Sequence, residues 1–160
     1  MIFGLAGRRM ALPAALVREA LPVPRLDRRP GTPPALAGFF SLGGVTVPVL
    51  DLAVLLGLRD FGEAPELDPL YRPILRLDSL SLLVDRLEQV RVPEGADAEA
   101  GEDPWQNRCV ARHLRADGPV SLLDPDRLLL EEERARLDLL TADAERRTRL
   151  WGADGGDVVD

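Results

Sequence analysis

Apolar residues in this chain gather in short runs of strand type, each stopped by glycine, proline or aspartate, until about residue 125, where their spacing becomes helical. Phe3 to Leu5 reads as a strand, Gly7-Arg8-Arg9 as a turn and Met10 to Leu12 as the hairpin partner. Pro13 to Leu21 fits either a short helix with proline in its first turn or a helical turn leading into a strand. Pro22 to Pro34 carries five prolines, which excludes a regular element and predicts an extended loop. Leu36 to Leu42 and Val45 to Leu50 form a second hairpin across Gly43-Gly44, a pair suited to the positive φ angles of a tight turn.

Asp51 stands at a helix N-cap position and Gly57 at the corresponding end, so Leu52 to Leu56 is predicted as a helix of one or two turns. An acidic, proline-containing stretch near residues 59–69 reads as a linker between halves. Strands follow at Arg72 to Leu77, Leu80 to Asp85 and Leu87 to Val92. Glu94 to Gln106 has no apolar period and reads as a mobile surface loop. Val110 to Leu114 and Val120 to Leu123 are the last strands, joined by Asp117-Gly118-Pro119. A terminal helix is predicted over about 125–150, and 151–160 as a disordered tail.

One ten-residue pattern occurs twice. Val47-Pro48-Val49-Leu50-Asp51-Leu52-Ala53-Val54-Leu55-Leu56 is matched by Val120-Ser121-Leu122-Leu123-Asp124-Pro125-Asp126-Arg127-Leu128-Leu129. In both, a strand stops at an aspartate and a leucine pair follows at the same offset, which predicts two similar subdomains within one domain over 1–150.

Composition narrows the function. The chain has 160 residues and is 46% hydrophobic, enough for a real core, but only 4% aromatic, so that core is aliphatic and base-stacking platforms are scarce. A net charge of -7 repels phosphate backbones and anionic lipid, which argues against nucleic acid as a partner. All basic side chains are arginine, a bias of composition that carries no functional weight. The single cysteine, Cys109, leaves no internal disulfide. No signal peptide or membrane-length apolar run is seen, so a cytoplasmic protein without direct membrane insertion is expected.

Candidate chemistry is thin. Asp124-Pro125-Asp126 could serve as a carboxylate pair, but a cap, a first-position proline and a dipole complement explain it better. Asp51 and Asp85 read as cap and turn residues. Cys109 and His113 are four apart on a segment of strand type, where that spacing does not converge, so no metal site, catalytic residue or cofactor is assigned. Arg8, Arg9, Arg18, Arg25, Arg28 and Arg29 form either a basic patch for an acidic partner or an ordinary solvated surface. Glu131-Glu132-Glu133 with Arg134 and Arg136 reads as the outer face of the terminal helix. Leu137, Leu139 and Leu140 span more than one narrow stripe, which keeps a partner-binding helix as a second reading.

The order and spacing of several pieces resemble the CheW family, the coupling proteins of bacterial chemosensory arrays. In the first half these are Phe3-Gly4-Leu5-Ala6-Gly7, Ala11-Leu12-Pro13, Val17-Arg18-Glu19, Leu21-Pro22, Pro30-Gly31, Pro33, Leu36-Ala37-Gly38 and Val47 to Leu52. In the second they are Leu82 to Leu87 with Val90, and Leu122 to Leu129. The resemblance implies an all-β fold with a C-terminal helix, two small five-stranded SH3-like barrels side by side, here split near residues 59–69. It also implies a non-catalytic adaptor that joins the regulatory domain of a CheA-type histidine kinase to the cytoplasmic tip of chemoreceptors. Recruitment to receptor arrays at the inner membrane follows from the same resemblance.

The chain departs from the family where Asn-Leu-Arg-Gly is usual and Ser41-Leu42-Gly43-Gly44 stands instead. Loss of that receptor-facing arginine removes charge-assisted hydrogen bonds worth ~1.5–3 kcal/mol apiece, so weakened receptor coupling is expected. Leu36, Val45 and Val47 at the barrel rim, with Gly43 and Arg18, are the candidate partner contacts. A module of the same fold that binds a different protein is the alternative.

Overall fold

The computed structural model describes residues 1–63, 71–88, 105 and 107–152. Its ten strands are β1 (Ile2–Leu5), β2 (Arg8–Ala11), β3 (Glu19–Pro22), β4 (Leu36–Leu42), β5 (Val45–Asp51), β6 (Pro73–Arg76), β7 (Ser81–Leu83), β8 (Arg86–Glu88), β9 (Val110–Arg115) and β10 (Pro119–Leu123). Two α-helices, α1 (Leu52–Leu55) and α2 (Glu131–Gly152), and 3-10 turns at Ala14–Leu16 and Pro125–Arg127 complete the description. The turn at Ala14–Leu16 leads into β3, which selects one of the two readings of Pro13 to Leu21.

Two five-stranded sheets result, ordered β8-β1-β2-β10-β9 and β3-β6-β7-β5-β4, as the expected two-lobed β fold with a C-terminal helix requires. Each contains one parallel pair, β2 with β10 and β5 with β7, and its other pairs are antiparallel. The two orders are the same plan: β1 to β5 correspond in turn to β6 to β10.

Each sheet takes the first hairpin of one half and the last three strands of the other, so a division near residues 59–69 separates the repeats but not the lobes. After β2 the chain leaves its own sheet, because Arg18 N–H donates to Arg76 O (2.8 Å) and draws β3 onto β6. Similarity of the two sequence patterns identifies equivalent strands; it carries no information about which copy pairs with which.

Alternation along the strands sends neighbours into different cores. Ile2, Ala11, Leu114 and Val120 fill a small cluster on the first sheet, and Phe40, Val49, Ile74 and Leu83 one on the second. The adjacent residues Phe3, Met10, Leu50, Leu75, Leu82 and Leu123 point the other way, into a larger cluster shared by both sheets. Burying each such side chain contributes about 1.5–3 kcal/mol, so this shared core binds the lobes into one body.

Both copies of the repeated pattern cap as expected. Val54 N–H donates to Asp51 Oδ1 (3.4 Å) at the start of α1, and Asp126 N–H donates to Asp124 Oδ1 (3.0 Å). They then diverge. The continuous helix expected from residue 125 is broken, because the first turn closes at Arg127 and Leu128 and Leu129 drop into the shared core. The helix restarts where Glu133 accepts a hydrogen bond from Leu130 N–H (2.6 Å), half of a capping box.

Along α2, Leu137, Leu140 and Ala144 lie on the core. Trp151 and Gly152 extend that helix rather than beginning the tail, and 153–160 lie outside the described residues. The strand predicted from Leu87 to Val92 is described as Arg86–Glu88, and its remainder, like nearly all of Glu94 to Gln106, lies outside the described residues. No described helix is long and apolar enough to cross a membrane.

Candidate docking surface

The hairpin of β4 and β5 ends in a turn whose central residues are both left-handed, Gly43 at φ +58° and Gly44 at φ +83°, the geometry of a tight type I′ reversal. Leu42 and Val45 pair across its base and stay 37% and 57% exposed, and no atom stands within 4 Å of where a Gly43 side chain would begin. The tip is an apolar projection on the edge of a sheet, held by backbone geometry alone.

The candidate contacts fall in different places. Gly43 and Val45 share the tip, and Val47 sits half-buried behind them on the second sheet's small core. Leu36 is only 2% exposed and lies in the shared core, so it offers no surface and is corrected to a packing residue. Arg18 is exposed and paired with Asp78 (2.5 Å), beside β3, at the opposite end of the strand order from β4.

A second surface was not legible in the sequence. The β1–β2 turn, the residues after α1 and the passage from β7 to β8 enclose a cleft of about 530 Å³, lined by Gly4 to Arg8, Leu58, Arg59, Glu63, Asp85 and Arg86. Its floor is charged and buried. Asp85 receives two hydrogen bonds from Arg59 (3.0 and 2.6 Å) and one from Ala6 N–H (2.8 Å), and Arg72 stands 3.2 Å away. Asp51 is 3.7 Å from Arg72, so the helix cap also belongs to this network.

Burial alone would raise the Asp85 pKa, but the hydrogen bonds from Arg59 and Ala6 and the charges of Arg59 and Arg72 outweigh it and hold the carboxyl below its ordinary value. Arg59 follows α1, Arg72 precedes β6, and Ala6 turns between β1 and β2, so Asp85 ties the two sheets together electrostatically. Only its place at a strand end was visible in the sequence, because its partners are 13, 26 and 79 residues away.

The amino-terminal arginines resolve mainly as structural groups. Arg9 grips Glu88 (3.0 and 2.9 Å), Arg29 pairs with Asp27 (3.0 Å), Arg28 lies over the Phe61 ring (4.8 Å) and Arg8 over the Trp105 ring (5.1 Å). Cys109 is buried, its thiol donating to Arg127 O (3.1 Å), and burial pushes its pKa up, away from a reactive thiolate. His113 sits on β9, opposite Ser121. Among the described residues no group of three or more His, Cys, Asp or Glu converges as a metal would require.

The described residues thus give two sheets sharing one core, an exposed apolar hairpin tip, and a cleft floored by the Asp85–Arg59–Arg72 network. Residues 1–133 match the family model described as the CheW-like domain, and the chain belongs to that family. It is accordingly a non-catalytic scaffold of chemotaxis signal transduction. The match ends three residues into α2.

Among solved structures, the chain is similar to the scaffolding protein TtCheW from Thermoanaerobacter tengcongensis. The likeness has a TM-score of 0.64 at 19% identity, over 81% of this chain and 85% of that one, and it supports the fold. Comparison with curated proteins gives no match.

Proposed function

We propose that this protein couples chemoreceptors to a CheA-type histidine kinase, with Leu42 and Val45 of the β4–β5 hairpin as the contact to the kinase regulatory domain, and with Gly43 at its tip and the inter-lobe cleft as positions facing the receptor. The observation that carries the reading is the exposed apolar tip. Leu42 and Val45 pair across the base of the turn and offer exposed apolar area that docking would bury. The cleft suits a positioning role because its floor is pinned by the Asp85 network and its rim carries Arg86, 62% exposed along its side chain.

Calorimetric titration with the regulatory domain of a CheA-type kinase from the same cell tests the reading. Binding at micromolar affinity or tighter, weakened about tenfold by Val45→Glu, is the expected result. Absence of binding at high concentration would transfer the hairpin to another partner. That second reading, a CheW-fold module serving a different protein, is favoured by one feature: glycine at position 43, where the resembled family places a receptor-facing arginine.

A further inference from the structure

Helix α2 carries leucines on two opposite sides. Leu137, Leu140 and Ala144 cover the shared core, while Leu139 and Leu150, on the far side, are 72% and 69% exposed. A separation of eleven positions makes about three turns, so they stand within about 20° of each other and about 16 Å apart along the axis. Ala142, Asp143 and Arg146 occupy the same strip between them, and every residue from 146 to 152 is exposed. Almost all of this helix lies beyond the family's matched region.

We propose that this strip is a homodimer interface, in which α2 packs antiparallel against α2 of a second copy of the chain. Order of charge selects the partner and its direction. A two-fold axis midway between Ala144 and Glu145 sets Leu139 against Leu150 of the other copy and Asp143 against Arg146, with both pairs repeated by symmetry. Parallel packing would set Asp143 on Asp143 and Arg146 on Arg146, and would align the two helix dipoles unfavourably. The intrahelical pair of Asp143 with Arg146 (2.6 Å) already holds both charges where a second copy would meet them. The strip is complementary to itself, and that property singles out a second copy over an unrelated helix.

Sedimentation equilibrium of the full chain, from micromolar to submillimolar concentration, tests the proposal. A reversible monomer–dimer equilibrium is expected, weakened at least about tenfold by Leu139→Glu or Leu150→Glu, with far-ultraviolet dichroism unchanged and the thermal midpoint unchanged at dilutions where both chains are monomeric. Asp143→Arg alone should weaken the dimer, and the double swap Asp143→Arg with Arg146→Asp should restore it, since the antiparallel register again pairs opposite charges. A monomer at every concentration, or a dimer indifferent to Leu139 and Leu150, would overturn the proposal. So would a monomer whose kinase or receptor titration is weakened by Leu139→Glu, which assigns the strip to that partner.

Discussion

The hairpins β4–β5 and β9–β10 occupy the same place in their sheets, yet their tips are treated oppositely. At β4–β5 the tip is Gly43-Gly44 between Leu42 and Val45, apolar and projecting. At β9–β10 it is Asp117-Gly118, and the Arg9 guanidinium from β2 donates to the carbonyls of Ala116 and Asp117 while also holding Glu88 of β8. One hairpin is tethered by a charged side chain of β2 that also holds β8; among the described residues the other tip has no such tether. The two sheets share a plan but not a surface: among the described residues, the β4–β5 tip is the one of these two hairpin tips that is apolar.

The largest effect is expected where the lobes meet. Asp85→Ala leaves Arg59 and Arg72, 8% and 7% exposed along their side chains, without their main counter-charge and should cost about 3–5 kcal/mol in urea unfolding. A loss under about 1 kcal/mol would break the picture of two sheets locked by one carboxylate.

Next, Arg9→Ala removes a bidentate, part-buried pair and the tether of the β9–β10 tip, and about 1–2 kcal/mol should be lost. Val45→Glu, at the equivalent untethered tip, should change stability by less than about 0.5 kcal/mol while weakening kinase binding. If the two hairpins responded alike, the contrast between them would fail.

Titration with acid should expose the same division. Asp85 and Glu88 both have folded pKa values below their ordinary 3.8 and 4.5, the latter chiefly through its hydrogen bond from Arg9. A depressed carboxylate stabilises the fold above its unfolded pKa, and that stabilisation is lost as pH falls through the folded value. Thermal midpoints should therefore be steady above about pH 5 and fall below about pH 4, and Arg9→Ala should shrink the fall by the Glu88 share.

Gly43→Arg should act on binding in the opposite sense to Val45→Glu. The turn's φ of +58° should cost a side chain about 1 kcal/mol of stability. Against that, receptor binding should tighten; unchanged affinity would remove Gly43 from any account of receptor coupling.

Local signals were legible wherever one residue and its near neighbours decide the outcome. Gly43-Gly44 announces its hairpin because few other residues accept two consecutive positive φ angles. Asp51 and Asp124 announce their helical turns because a carboxylate two or three residues upstream satisfies an otherwise unpaired N–H. The terminal helix was misread by one break, since Leu128 and Leu129 fit a helical period as well as they fit a core. Leu36 was misread for a related reason: an apolar residue at a strand end looks the same whether a helix covers it or not.

The sequence by itself determined the element types, the duplicated strand-to-helix pattern, the aliphatic core and the family. These rest on periodicity, turn chemistry and the order of short motifs, all properties of neighbours along the chain. Tertiary structure decided which hairpin joins which sheet, that Asp85 binds Arg59, Arg72 and Ala6 across the lobes, that Arg9 tethers one hairpin, and that α2 turns Leu139 and Leu150 outward. Each of these depends on groups brought together from distant positions by burial and pairing, and no spacing in the sequence encodes that meeting.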